Sequence, residues 1–208
     1  MEDVLDVYKR PYDEKRPVIC MDETNKQQLK EVRPSIPIEP GKPERFDTEY
    51  ERNGTSNIFI SFEPLKGKRR LKVTDNRRRT DWANFIKEVV DNDYPHAEKV
   101  VLIMDNLNTH SGISLYETFA PSEAKRILDK LEIHYTPKHG SWLNIAELEF
   151  SHLSRQCLNR RIEDQDKLIK EVAAWEHKRN QKEVKVNWQF TTDNARIKLK
   201  KLYPIIEG

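Results

Sequence analysis

The sequence has few cysteines, few glycines and no long apolar segment. Only two cysteines and six glycines occur among its 208 residues. Cys20 and Cys157 lack the paired spacing of a zinc ribbon and cannot build a disulfide-rich scaffold, so a reducing cytoplasm is expected. No segment approaches the roughly 18 apolar residues of a membrane-spanning helix, which excludes a transmembrane protein. The first residues show neither an apolar segment nor a cleavage pattern, so no signal peptide is predicted.

Charge, in contrast, is abundant and unevenly distributed. Charged residues make up 35% of the chain, yet the net charge is only +2. Residues 66–79 (KGKRRLKVTDNRRR) hold eight Lys or Arg and a single acid, Asp75. Such a segment is either a solvated surface or a phosphate-binding one, and taken with the acids described below we predict contact with DNA phosphates. The predicted contacts are Arg69, Arg70, Arg77, Arg78 and Arg79.

Apolar patterns predict a mixed α/β fold. Strands are predicted at residues 18–21, 57–62, 70–74, 99–104 and 132–135. Helices are predicted at about 80–93, 121–131, 142–157, 164–180 and 193–202. Three strands come first, with a turn signal at Asn53-Gly54, and the later strands alternate with helices, so the sheet should be partly antiparallel and partly parallel. We expect a core at 17–160, an N-terminal extension at 1–16 and a C-terminal helical part of the same domain at 161–208.

Two predicted strands end in an aspartate. Asp22 follows the first strand and Asp105 follows the most apolar one. Either residue alone could cap a turn, but ligand sites form at the carboxyl ends of strands in open α/β sheets, and two such acids favour a shared site. A third carboxylate can come from the helix at 142–157, where Glu147 and Glu149 flank the apolar stripe on opposite edges. Helical geometry leaves both glutamates open.

Three clustered carboxylates require compensation. Each pair repels by roughly 4 kcal/mol at 4 Å, so the cluster needs protons or a cation. Oxygen ligands without His or Cys select Mg²⁺ or Mn²⁺ rather than zinc. Two such ions can activate a nucleophile and stabilise a leaving oxygen in phosphoryl transfer. With the basic segment, this pattern indicates a metal-dependent nuclease or strand transferase.

Three segments resemble the catalytic blocks of mariner-type bacterial insertion-sequence transposases. They are Met21-Asp22-Glu23, residues 104–110 (MDNLNTH) and residues 135–147 (YTPKHGSWLNIAE). Segments 50–55, 62–65 and 188–204 resemble the same family. The resemblance covers nearly the whole chain from about residue 17. It implies the DDE superfamily and a ribonuclease-H-like fold, with a mixed five-stranded sheet flanked by helices and with extra C-terminal helices.

The resemblance also assigns roles to individual residues. It implies that Asp22, Asp105 and Glu147 are the catalytic acids and the metal ligands. Glu147 is selected because the family's glutamate follows Leu-Asn by three positions. Within these blocks, we predict that Asn106 and Asn144 support the acids by hydrogen bonds and that Lys138 contacts DNA. His110 and His139 are predicted to support the site, and a direct contact with phosphate or water is the alternative.

The sequence departs from the family pattern in three respects. The spacing from Asp105 to Glu147 is longer than usual, and we assign the extra length to residues 111–120. Ile145 occupies the position of the usual proline. Only about 17 residues precede the first predicted strand, where the family usually carries helix-turn-helix units. The chain is therefore expected to be a catalytic domain alone.

The implied activity is DNA cleavage at transposon ends followed by strand transfer into target DNA. Two Mg²⁺ or Mn²⁺ ions would be bound together with DNA. The implied partners are double-stranded DNA and a second copy in a homodimer, with no membrane contact, at the nucleoid in a bacterial cytoplasm. Two alternatives stay open: a stand-alone metal-dependent nuclease of the same fold, and a non-catalytic DNA-binding remnant, against which the three intact acids argue.

Overall fold

The computed structural model describes residues 1–33, 36–42, 48–138 and 140–203. Its strands form one five-stranded sheet in the order β3-β2-β1-β4-β5. The strands are β1 (Val18–Glu31), β2 (Tyr50–Glu63), β3 (Lys68–Thr74), β4 (Val100–Met104) and β5 (Leu131–Tyr135). Neighbours among β1, β2 and β3 are antiparallel, whereas β1, β4 and β5 run parallel. The predicted mixed sheet is confirmed.

Helices cover both faces of the sheet. They are α1 (Glu2–Tyr8), α2 (Arg79–Glu88), α3 (Gly112–Thr118), α4 (Pro121–Lys130), α5 (Ala146–Leu153), α6 (Gln165–Gln181) and α7 (Thr192–Lys198). Short π-helical turns extend α2 through Val89–Asp93 and α5 through Ser154–Leu158. Sequence patterns missed α1 and α3 because seven residues carry too little periodicity to register. None of the described helices is both long and apolar enough to cross a bilayer.

The apolar residues of the central strands explain the layered core. All five residues of β4 are buried, as expected for a parallel strand covered on both faces. On one face, Ile19 and Met21 of β1 pack against α2, α3 and α4. On the other face, Cys20 packs with α1, α5 and α7. Residues 1–16 thus include a helix whose apolar side belongs to the main core.

The first strand is longer than predicted, and this changes the setting of its acids. β1 runs through Glu31 rather than ending at residue 21. Asp22 and Glu23 therefore lie within the strand, paired with Ile60 and Phe59 of β2. Because successive strand residues point to opposite faces, the two acids lie on opposite sides of the sheet.

The predicted turn at Asn53-Gly54 is wrong. Both residues lie inside β2, where the pairing with β1 shifts register around Gln28. Gly54 has a φ of 99°, a left-handed conformation that favours glycine. The dipeptide therefore forms a bulge in a long antiparallel ribbon instead of a chain reversal.

Candidate active site

The register of the two central strands brings Asp22 and Asp105 together. β1 and β4 pair in parallel, with Val18 beside Val101 and Cys20 beside Ile103. The same offset, continued two residues further, places Asp22 beside Asp105 just after β4 ends. Neighbouring strands lie about 4.8 Å apart, so the two carboxylates share one edge of the sheet.

Asn144 fixes the third acid beside the first. Its side-chain amide donates a 2.9 Å hydrogen bond to the backbone carbonyl of Met21, the residue before Asp22. Its side-chain oxygen accepts from the backbone N–H of Ala146 at 3.2 Å. Since Ala146 begins α5, this buried asparagine ties the helix start to β1. Glu147 lies in the first turn of that helix, next to the tie.

The two glutamates of α5 have entirely different surroundings. Glu149 is fully buried and binds the guanidinium groups of Arg69, at 2.9 Å, and Arg179, at 2.7 Å. Glu147 is exposed and contacts no cation in the described residues. Two residues apart on a helix means about 200° of rotation, so only one of them can face the aspartates. Glu149 is therefore a structural ion, and Glu147 is the glutamate of this helix turn that stays available.

Electrostatics links the three acids directly. The pKa of Asp22 is raised to about 7. Burial is the largest cause, and the charges of Asp105, Glu23 and Glu147 add to it. The site is therefore a concentration of negative charge that a bound cation would relieve. The donors are all carboxylate oxygens, which fit Mg²⁺ or Mn²⁺. Among the described ranges, no group of three or more His, Cys, Asp or Glu side chains is placed to hold a metal ion.

His110 bridges Asp105 to an acid that sequence reasoning did not single out. Its Nδ1 lies 2.5 Å from a carboxylate oxygen of Asp105, and its Nε2 lies 2.9 Å from a carboxylate oxygen of Glu23. Burial disfavours a charged ring, but the close ion pairs with these two carboxylates outweigh burial and raise the pKa of His110 to about 9. The ring also stacks on Trp82 at 5.9 Å. The alternation of side chains along β1 could have identified Glu23 from the sequence. Glu23 directly follows Asp22, so it lies on the opposite face of the sheet, where it contacts this histidine.

The remaining supporting residues are placed as follows. The Asn106 side chain is exposed and makes no hydrogen bond within the described parts of the chain. His139 lies outside the described residues. Lys138 is exposed, three residues after β5 ends.

The prediction that Arg69 contacts DNA is wrong. The Arg69 side chain is fully buried. It binds Glu149 and lies 4.8 Å from the ring centre of Phe62. It also donates to the backbone carbonyl of Val184 at 2.9 Å. This arginine is a structural link between β3, α5 and the segment after α6.

The other four arginines of the basic segment differ in exposure. Arg70 binds Asp93, with 28% of its side chain exposed. Arg79 binds Glu117 and is about half-exposed. Arg77 and Arg78 lie in the exposed loop between β3 and α2. Only this last pair has the unhindered exposure that phosphate contact requires.

A mixed five-stranded sheet with acids on two adjacent strands and on a following helix defines a ribonuclease-H-like nuclease fold. The sequence matches the family of DDE superfamily endonucleases over residues 17–169. The chain belongs to that family, and this confirms the superfamily implied by the three motif blocks. No curated protein matches the chain at a significant level.

Solved structures of the Mos1 mariner transposase share the fold. The Mos1 mariner paired end complex with Mn superposes with a TM-score of 0.54 at 15% identity, over 88% of this chain and 55% of the Mos1 chain. The Mos1 paired-end complex with left transposon end gives 0.58 at 12% identity, over 88% and 56%. The Mos1 strand transfer complex gives 0.57 at 12%, with the same coverage. The chain thus spans a little over half the length of these relatives.

Proposed function

We propose that this protein is the catalytic part of a mariner-like DNA transposase. It would cut DNA at transposon ends and join the freed ends to target DNA. The observation that supports the proposal most directly is the parallel pairing of β1 with β4, together with the charges of Asp105 and Glu147, which raise the pKa of Asp22. Membership in a family of endonucleases and the Mos1 fold support the same reading.

Asp22, Asp105 and Glu147 would hold the divalent cation. When bound, Mg²⁺ or Mn²⁺ lowers the pKa of an attacking water and stabilises negative charge on the leaving oxygen. The surrounding residues keep these ligands in place. His110 orients the carboxylate of Asp105 through a 2.5 Å contact, and Asn144 keeps the start of α5 beside β1.

The Mos1 complexes support further details of the proposal. Those structures include a paired end complex with Mn, one with Mg and a strand transfer complex. By analogy, we propose two ions in the DNA-bound state, double-stranded end and target DNA as partners, and a homodimer. Association with a bacterial nucleoid and the division into 1–16, 17–160 and 161–208 belong to the same proposal.

Direct DNA contacts would come from exposed cations near the catalytic edge. Arg77, Arg78 and Lys138 are the exposed members of the predicted set. Arg70 and Arg79 would have to share their charge with Asp93 and Glu117. Contacts of this kind go to phosphates and are independent of sequence.

A strand-transfer assay tests the proposal. A labelled duplex with a free 3′-hydroxyl is incubated with the protein, Mn²⁺ and a supercoiled plasmid, and joined products are counted. We expect joining by the wild type and by D166N, which removes an exposed acid of α6, and none by D105N or E147Q.

The outcomes separate the alternatives. Cutting without joining would indicate a stand-alone nuclease of the same fold. DNA binding without either reaction, unchanged in D105N, would indicate a non-catalytic remnant. Either result would replace the transposase proposal.

A further inference from the structure

A groove lies between the end of the α5 helical segment and the C-terminal half of α6. Its volume is about 490 Å³. Trp175, Cys157 and Val184 contribute apolar lining. The charged residues that line it are Arg160, Lys178, Arg179, Lys182 and Glu171. Four cations against one carboxylate make this the lining of an anion site.

Two of these cations are already engaged. Arg179 forms two hydrogen bonds with the buried Glu149, at 2.9 and 2.7 Å, and lies 5.3 Å from the ring centre of Trp175. Arg160 pairs with Glu171, although half of its side chain stays exposed. They contribute to the field of the groove but have limited freedom to grip a ligand.

Lys178 and Lys182 are different. Both are exposed, and within the described chain neither has a carboxylate partner. Four residues separate them, so they lie on the same side of the helix end, about 6 Å apart along its axis. Phosphates of one DNA strand follow each other every 3.4 Å or so along the duplex axis, so the pair spans about two phosphates.

The end of α6 is held rigidly, which positions these lysines in advance. The Asn180 side chain accepts from the backbone N–H of Arg69 at 2.9 Å and donates to its carbonyl at 2.7 Å. Gly67, in the turn between β2 and β3, approaches the backbone of Glu183 so closely that a Cβ there would lie 2.6 Å from a carbonyl carbon. The helix end therefore cannot shift toward or away from the sheet. A preformed site loses less entropy on binding.

The groove has a defined relation to the catalytic edge. Arg179, which lines the groove between the two lysines, binds Glu149, and Glu149 lies two residues after Glu147 on α5. The groove therefore begins within one helical turn of Glu147 and extends along the helical segment to Cys157.

We propose that this groove binds the phosphate backbone of a DNA strand next to the phosphate that the catalytic acids would attack. Lys178 and Lys182 make the phosphate contacts, with Arg160 at the rim. This inference rests on the proposed function, since it takes DNA as the polyanion. It adds a second, sequence-independent contact surface, separate from the Arg77 and Arg78 loop.

The salt dependence of DNA binding tests the groove. Binding of a fluorescein-labelled duplex to the full chain is followed by anisotropy in EDTA, between 50 and 200 mM salt. Because each phosphate contact adds about 0.9 to the slope of log affinity against log salt, we expect K178A/K182A to lower it by about 1.8. The ratio of wild-type affinity to variant affinity should then fall about 12-fold as the salt concentration rises from 50 to 200 mM. The control K200A/K201A removes equal charge from exposed positions outside the groove and should leave the slope nearly unchanged.

A second measurement tests the location. On a pre-cut duplex end, a neutral methylphosphonate is placed at one position after another from the end inward; it should weaken binding by the wild type at one or two neighbouring positions and leave K178A/K182A unaffected at those positions. Equal weakening of both proteins would overturn the location.

The remaining outcomes are distinct. An unchanged slope in K178A/K182A, or an equal loss in K200A/K201A, would overturn the groove while leaving the proposed function standing. Failure of the wild type to bind DNA at all would overturn both. Thermal unfolding of each variant verifies that the exposed substitutions leave the fold intact.

Discussion

The side-chain amide of Asn144 donates a 2.9 Å hydrogen bond to the backbone carbonyl of Met21. The bond joins a loop residue to a strand more than a hundred residues earlier, and both partners are buried. It sits one residue before Asp22 and three before Glu147. The Asn144 amide therefore fixes the backbone next to Asp22 relative to the backbone that carries Glu147.

Asn144→Ala should lower the free energy of unfolding, and it should weaken Mn²⁺ binding by more than this loss of stability explains. Removing the amide leaves the Met21 carbonyl buried and unpaired, which costs about 1–3 kcal/mol. It also frees the start of α5, so Mn²⁺ affinity should fall further than stability predicts. Urea unfolding and Mn²⁺ titration by electron paramagnetic resonance measure the two effects. Asn159→Ala, at an exposed position away from the acids, is the matched control. An equal effect there would contradict the role of Asn144.

Asp22→Asn should stabilise the metal-free protein at neutral pH while abolishing cleavage. The pKa of Asp22 is about 7 in the folded chain, above the ordinary value of 3.8, because of burial and neighbouring carboxylates. A raised carboxyl pKa means that ionisation opposes folding, so stability is lost as pH rises from about 4 to 7. Melting in EDTA should show a higher Tm for the variant at pH 8 and no difference at pH 4. A lower Tm at pH 8 would mean that the carboxylates do not repel as described.

Arg69→Ala should be among the most damaging changes in the basic segment. It leaves Glu149 buried with only Arg179 as a cationic partner, and breaking a buried ion pair costs about 3–5 kcal/mol. Arg77→Ala, at an exposed position, should change stability by less than about 0.5 kcal/mol but weaken DNA binding. Urea unfolding and anisotropy on both variants give the comparison. If Arg77→Ala were destabilised and Arg69→Ala were not, the structural role assigned to Arg69 would be wrong.

His110→Gln should lower stability most at acidic to neutral pH. The folded pKa of His110 is about 9 against an ordinary 6.5, because Asp105 and Glu23 outweigh the effect of burial. A raised histidine pKa contributes stability that is complete below about 6.5 and is lost as pH rises through 9. The stability gap between wild type and variant in EDTA should therefore narrow between about pH 6.5 and pH 9 and be smallest above pH 9. A gap that stays constant with pH would indicate packing on Trp82 as the cause.

Much of the fold was predictable because it depends on local patterns. The uninterrupted apolar residues of β4 and the spaced apolar residues of α2 and α6 each determine a local structure that the core then uses. The lengths of β1 and β2 were not predictable in the same way. Their outer halves are polar and largely exposed, and they are strands because they pair with each other. Pairing between distant segments produces no periodic pattern of apolar residues in the sequence of either segment.

The order of residues alone indicates which acids are available, since Asp22 and Asp105 directly follow apolar strand residues. The sequence also contains the motif residues that place the chain in an endonuclease family. The packing of distant segments, in contrast, neutralises Glu149 with Arg69 and Arg179 and leaves Glu147 exposed, where its charge raises the pKa of Asp22. It also turned Arg69 inward and brought Glu23 to His110. The reason is physical: a charged side chain is a ligand or a structural ion depending on which distant groups surround it, and chain order alone does not specify those groups.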